Sequence, residues 1–191
     1  QRFGVTHKEK IKRLSETVDC LSVSATPIPR TMYMSLTGSR AISLIKTPPK
    51  GRKSIDTVVN QFSVSLLKKA IEKELSRKGQ IYYVFNDIDR FSEKVNLIKE
   101  IVPSIRLATL HGRMKSSDIE QTLLSFYNRE FDLLLSTTIV ENGLDIPNVN
   151  TIILDKAEYF GLSQIHQIRG RVGRSDRQGY AYLLFSDFNR L

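Results

Sequence analysis

The sequence predicts an α/β fold built on a doubly wound parallel sheet, and three observations predict it. Short strand-like runs recur through residues 54–191, at Ile81–Phe85, Ile105–Leu110, Leu133–Leu135, Thr151–Leu154 and Tyr180–Phe185, the last three continuous and without polar alternation. Runs of this kind read as strands buried on both faces. Helical periods separate them, and strands alternating with helices imply parallel pairing through crossovers. Polar loops follow three of the strands, at Asn86-Asp87, His111-Gly112 and Thr137–Pro147. All three fall on the rim where open α/β sheets hold their ligands.

The elements follow in chain order. Lys8–Val18 sets Ile11, Leu14 and Val18 at helical spacing, Cys20–Ser24 reads as a short strand, and Pro29–Thr37 reads as a second helix. Lys46–Lys53 then holds two prolines, a glycine and four cations in eight residues. Proline lacks the ladder donor and the cations repel, so this is a linker. The predicted divisions are therefore residues 1–45, a linker at 46–53, and a domain at 54–191. In that domain Leu66–Arg77 places Leu67, Ala70, Ile71 and Leu75 on one helix face, closed by Gly79. Asp89–Val102 is the next helix, stopped by Pro103. Ser117-Asp-Ile-Glu120 reads as a capping box that opens a helix through about Asn128.

Composition sets the broad class. At 40% hydrophobic and 26% charged, 191 residues suit a globular chain with one good core. No apolar run approaches the ~20 residues of a bilayer span, and no signal-like segment opens the chain, so the expected location is the cytoplasm, with no membrane partner. The single Cys20 has no disulfide partner and no ligand partner at metal spacing, so it reads as a small core residue. His7, His111 and His166 are scattered, and no metal site is expected. His166 itself reads as a packed residue. The net charge is +9, and residues 1–53 hold 11 Lys and Arg against 3 Asp and Glu. Such a block suits nucleic-acid phosphates through counterion release. It is equally consistent with acidic residues elsewhere that offset it.

The densest chemistry lies in Gln164–Arg177, where Arg169, Arg171, Arg174 and Arg177 crowd at helical spacing with Gly170 and Gly173 between them. Clustered guanidiniums repel, so an anion with several oxygens belongs opposite them, a nucleoside triphosphate foremost. The alternative is a solvated basic helix face. The glycines weigh against it, since each costs a helix interior about 1 kcal/mol and calls for close backbone approach.

Three segments carry a family resemblance: Ser24–Thr31, Ser136–Pro147, and Gln167-x-x-Gly-Arg-x-Gly-Arg174. In this order they resemble motifs III, V and VI of superfamily 2 helicases. Arg2-Phe-Gly-Val5, Thr47-Pro-Pro49, Tyr82–Asp87, His111–Met114 and Tyr159–Ser163 narrow the resemblance to the family of bacterial transcription-repair coupling factors. The RecG branch-migration helicases are close relatives, but they usually carry a Pro-Leu-Ile-Glu-Glu-like stretch where this chain has Phe85-Asn86-Asp87. The resemblance spans essentially the whole chain. It implies a RecA-like second motor domain at 54–191, preceded by the C-terminal remnant of a first RecA-like domain at 1–45. The sequence contains no phosphate loop and no Asp-Glu pair to hold magnesium. By resemblance Gln1 is the last residue of motif II, and the chain begins just after those carboxylates.

The resemblance also implies roles. Arg171 and Arg174 are arginine fingers for ATP held on the other motor domain, with Gln167 helping to place them. Gly143 and Asp145 contact the nucleotide, Asp145 at the ribose. Arg30, Thr31, Asn86, His111, Gly112, Arg113 and Thr137 contact DNA, and Ser24, Ala25 and Thr26 couple nucleotide state to DNA grip. The cofactors are ATP and Mg2+, the metal held by residues outside this chain, and the chain alone binds neither tightly and is inactive. The partners are double-stranded DNA, and RNA polymerase and excision-repair proteins through domains outside this chain. The implied function is an ATP-driven translocase that displaces stalled polymerase and couples transcription to repair. A RecG-like fork remodeller and a non-catalytic interaction module are the alternatives. The apolar set of residues 1–45, from Ile11 to Leu36, is expected either to be mobile or to find a substitute contact with a neighbouring chain, a route to self-association of the isolated chain.

Overall fold

The structure, a computed structural model, describes residues 43, 45, 53–138, 146–173 and 176–186. The chain divides into two units, 1–42 and 43–191, and all described residues belong to the second. The predicted elements at Lys8–Val18, Cys20–Ser24 and Pro29–Thr37, the core role of Cys20, and the linker up to Arg52 lie outside the described residues.

Six strands form one parallel sheet: β1 (Asp56–Gln61), β2 (Gln80–Val84), β3 (Leu107–Leu110), β4 (Leu133–Ser136), β5 (Val149–Asp155) and β6 (Tyr180–Phe185). Their order is β1-β6-β5-β2-β4-β3, with every pairing parallel. Four helices cross between them: α1 (Val64–Ser76), α2 (Phe91–Ile101), α3 (Ser116–Tyr127) and α4 (Leu162–Arg169). The fold is the parallel α/β architecture that the sequence pattern predicts, of the RecA-like kind that the resemblance implies.

Strand alternation divides the core into two layers. Ile81, Tyr83, Phe85, Leu133, Leu135 and Ile153 pack on one face with Leu67 and Ile71 of α1 and Ile98 of α2. Tyr82, Val84, Leu134, Ile152 and Leu154 pack on the other with Phe126 of α3 and Ile168 of α4. Covering both faces is what leaves the central strands buried at every position, since neither face of the pleat meets water.

Several local expectations are corrected. Strand β1 was not predicted; it is exposed along almost its whole length at one end of the strand order, so nothing requires an apolar run there. Helix α1 starts at Val64, because Ser63 is the N-cap and its Oγ accepts the Leu66 N–H at 3.3 Å. Beyond its other end the left-handed residue is Lys78, not Gly79. The capping box of α3 does not form: its N-cap is Lys115, which makes no side-chain cap bond, and Ser117 Oγ bonds Asp118 instead. The helix expected from Asp89 begins with a 3-10 turn at Ile88–Arg90, and α2 proper starts at Phe91.

Candidate functional site at the two edges of the sheet

The predicted DNA residues that are described meet at the carboxyl ends of β2, β3 and β4. Backbone bonds hold those ends together: Phe85 N–H donates to Ser136 O at 2.9 Å, and Thr137 N–H donates to Leu110 O at 3.2 Å. Asn86 closes the set, its Oδ1 accepting the Thr138 N–H at 3.2 Å. Thus Asn86, His111–Arg113 and Thr137 share one rim, as their positions after consecutive strands predict.

His111 opens a tight turn in which Met114 N–H returns to His111 O at 3.1 Å, and His111 N–H points at Met114 Sδ at 3.4 Å. The His111 ring meets Phe91 edge-on, with centroids 5.6 Å apart. Its Nδ1 and the Ser136 Oγ are buried at this rim without hydrogen-bond partners among the described residues. Arg113 donates to Asp89 Oδ1 at 2.5 Å, with both side chains exposed. That bond holds the Asp89 carboxyl below the usual carboxylate range. An exposed pair of this kind is weak, so an anion can compete for Arg113.

Beneath the rim lies a charge cluster that the sequence reading missed. Asp155, buried at the end of β5, accepts from Lys94 Nζ at 2.6 Å and from Tyr83 OH at 2.7 Å. Lys94 also lies over the rings of Phe62 and Phe85. Burial, reinforced by Asp155, pushes the Tyr83 hydroxyl well above its ordinary pKa. A charged residue ending a fully buried strand was the available signal.

The arginine segment lies at the opposite edge. Helix α4 ends at Arg169 with Gly170 as C-cap, so Arg169 and Arg171 do not share a helix face. Arg171 follows the helix, half-buried, its N–H bonded to Ile168 O at 3.0 Å. Gln167 is half-buried on α4. His166 is exposed and not packed, with Nδ1 3.2 Å from Arg169 Nη2. Arg177 reaches the Arg77 carbonyl at 3.0 Å. The reason for Gly173 is visible: its φ is +69°, and a Cβ there would meet Ile55 Cγ1 at 3.3 Å and Gly179 Cα at 3.5 Å. Ile55 and Gly179 immediately precede β1 and β6, which places Gly173 at the amino edge of the sheet. Before α4, Phe160 is buried, whereas Tyr159 is exposed.

The segment from Thr137 to Ile146 joins the two edges. Thr137 is on the carboxyl rim, while Ile146 is buried and accepts the Val149 N–H at the amino end of β5. Arg174, Gly143, Asp145, Arg30, Thr31, Ser24, Ala25 and Thr26 lie outside the described residues.

A second buried charge sits at the amino edge. Glu74 of α1 is fully buried, and its Oε2 accepts from Arg77 Nη2 at 2.7 Å and Thr151 Oγ1 at 2.5 Å. Burial pushes its carboxyl above the ordinary range, and the hydrogen bond from Thr151 and the charge of Arg77 pull it back. Glu74 continues the buried period of Leu67, Ala70 and Ile71, a signal the sequence reading passed over. Among the described residues no cluster of three or more His, Cys, Asp or Glu is placed to hold a metal ion, and no helix is long and apolar enough to cross a membrane.

Comparison with known proteins adds the following. The family model described as "Helicase conserved C-terminal domain" matches residues 63–176. The transcription-repair-coupling factors of Staphylococcus epidermidis and Staphylococcus aureus are each 50% identical to the chain over 184 residues. That alignment covers 96% of this chain but 16% of those proteins. Among solved structures, RecG bound to a three-way DNA junction is similar with a TM-score of 0.70 and 34% identity, over 85% of this chain and 22% of that one. Saccharomyces cerevisiae Dbp5 bound to RNA and ADP BeF3 shares the fold, with a TM-score of 0.67 at 16% identity over 100% of this chain and 51% of that one.

Proposed function

Because the chain belongs to the helicase conserved C-terminal domain family, we propose that it is the second motor domain of an ATP-driven double-stranded DNA translocase. In this reading the whole protein displaces stalled RNA polymerase and recruits excision repair. The observation that carries it is the 50% identity to transcription-repair-coupling factors across 96% of the chain.

The two edges of the sheet divide the work. Asn86, His111, Gly112, Arg113 and Thr137 grip DNA from the carboxyl rim, and contacts of this kind, mainly to phosphates, position a strand without reading its sequence. Gln167 and Arg171 serve ATP from the amino edge, and Arg174, Gly143 and Asp145 share the nucleotide role. Strand β4 holds four residues, so the edges stand roughly 13 Å apart at about 3.3 Å per residue. The Thr137–Ile146 segment is a covalent link from the carboxyl rim back to the amino edge. It is suited to carry nucleotide state to DNA grip, together with Ser24, Ala25 and Thr26. Bound Mg2+ would neutralise charge on the phosphates, and its ligands would come from residues outside this chain.

The test uses the full-length motor. It is expected to strip a third strand from a triplex and to release a halted RNA polymerase, both only with ATP. Fork regression without polymerase release would favour the RecG-like role, which the 34% identity to RecG supports. ATP-independent partner binding with no strand displacement would leave only the interaction module. The 191-residue chain alone is expected to hydrolyse no ATP, since its sequence lacks a phosphate loop. DNA-stimulated turnover by the purified chain, abolished by Arg174→Ala, would overturn that expectation.

A further inference from the structure

The exit of the arginine segment is fastened to the end of α1. Arg77, the C-cap of that helix, donates from Nη1 and Nη2 to the Gln178 carbonyl at 3.0 and 3.1 Å. The same Nη2 is held by the buried Glu74 carboxylate at 2.7 Å. Arg177 returns a bond to the Arg77 carbonyl, and Gln178 Nε2 donates to Ser54 O at 2.6 Å. Gly179 O then accepts the Asp56 N–H at 3.0 Å. Gly179 is also the residue against which left-handed Gly173 packs, two residues beyond Arg171. Contacts therefore run without a break from Glu74 through Arg77, Gln178, Gly179 and Gly173 to the backbone that carries Arg171.

A buried ion pair is a poor device for stability, because apolar residues of similar volume commonly do as well. This one also restricts position 79, where a Cβ would lie 1.6 Å from Glu74 Oε1. A fold that retains such a constraint gains geometry from it: the planar guanidinium forks onto one carbonyl, and the carboxylate fixes the plane of the fork.

We propose that Glu74 and Arg77 are positioning residues for Arg171, holding the segment after α4 in the place from which that arginine reaches ATP. The inference rests on the reading of Arg171 as a finger. A finger misplaced by about 1 Å costs on the order of 100-fold in rate. Arg77→Ala in the full-length motor is therefore expected to lower kcat for DNA-stimulated ATP hydrolysis by about 10- to 100-fold, with KM for ATP little changed. Amide protection at 177–180 should fall with it. Arg77→Lys keeps the charge but not the forked grip on Gln178, so it should also lose kcat. Glu74→Gln keeps an acceptor for Arg77 and should recover most of the rate that Glu74→Ala loses.

Measured well below the unfolding temperature, an Arg77→Ala kcat within twofold of wild type would overturn the proposal even if the variant melts earlier. Should Arg77→Ala not fold, Arg77→Lys decides: a wild-type kcat there overturns the proposal as well. Arg171→Ala run in parallel separates the two readings. If it abolishes turnover while Arg77→Ala leaves kcat within twofold of wild type, the positioning role alone is wrong. If Arg171→Ala turns over normally, the finger reading falls and the positioning role falls with it.

Discussion

Arg171→Ala or Arg174→Ala in the full-length motor is expected to lower kcat for DNA-stimulated ATP hydrolysis by about 10³-fold or more, while ATP binding suffers far less. Phosphoryl transfer leaves little covalent chemistry to the protein, so rate comes from positioning and from positive charge placed where negative charge shifts toward the bridging oxygen. A group acting only there lowers kcat and kcat/KM together and leaves ground-state affinity nearly intact. Lysine should not substitute, because a point charge on a flexible stem cannot span two phosphate oxygens as a planar fork does. Steady-state kinetics with saturating DNA, paired with nucleotide titration, checks both halves. Near-wild-type turnover in either alanine variant would remove that arginine from the role. Loss of ATP binding with kcat unchanged would make it a ground-state ligand instead.

The parts of this molecule that were legible in the sequence are those where one physical demand dominates. Strands β2, β4, β5 and β6 are covered on both faces, so each had to be an apolar run, and each was found to within two residues at either end. Strand β1 escaped because an exposed edge places no such demand on Val58, Val59 and their polar neighbours. The carboxyl rim was legible for the same reason as the strands: once Ile81–Phe85, Ile105–Leu110 and Leu133–Leu135 are parallel neighbours, the loops after them share an edge. The arginine cluster was read as helical, but Arg171 lies beyond the end of α4. Residue spacing alone does not reveal that α4 stops at Arg169, nor that Gly173 is left-handed and seated on Gly179. Glu74 was overlooked because Lys68, Lys69, Glu72 and Lys73 around it make α1 look solvated, although its helical phase puts it on the buried face.

Gly79→Ala is expected to destabilise the domain by about 3–5 kcal/mol, the range for breaking a buried ion pair. The backbone at residue 79 does not demand glycine, since the left-handed residue of this turn is Lys78. The demand comes from space. A Cβ built on Gly79 would lie 1.6 Å from Glu74 Oε1 and 2.7 Å from its Cδ, so the carboxylate must move. It has little freedom to do so: Glu74 is fully buried, and Arg77 and Thr151 hold its Oε2. Displacing it breaks those bonds and leaves a charge in a site where burial already raises its pKa. Gly161→Ala is the control, because a Cβ there meets nothing within 4 Å. Urea denaturation of both variants gives the difference directly. A double-mutant cycle identifies the cause: in a Glu74→Ala background the carboxylate is gone, so Gly79→Ala should cost much less. Equal cost in both backgrounds would mean that position 79 is restricted by something other than Glu74. A Gly79→Ala variant within about 1 kcal/mol of wild type would mean that the carboxylate has room to swing aside, since displacement of a buried pair costs more than that.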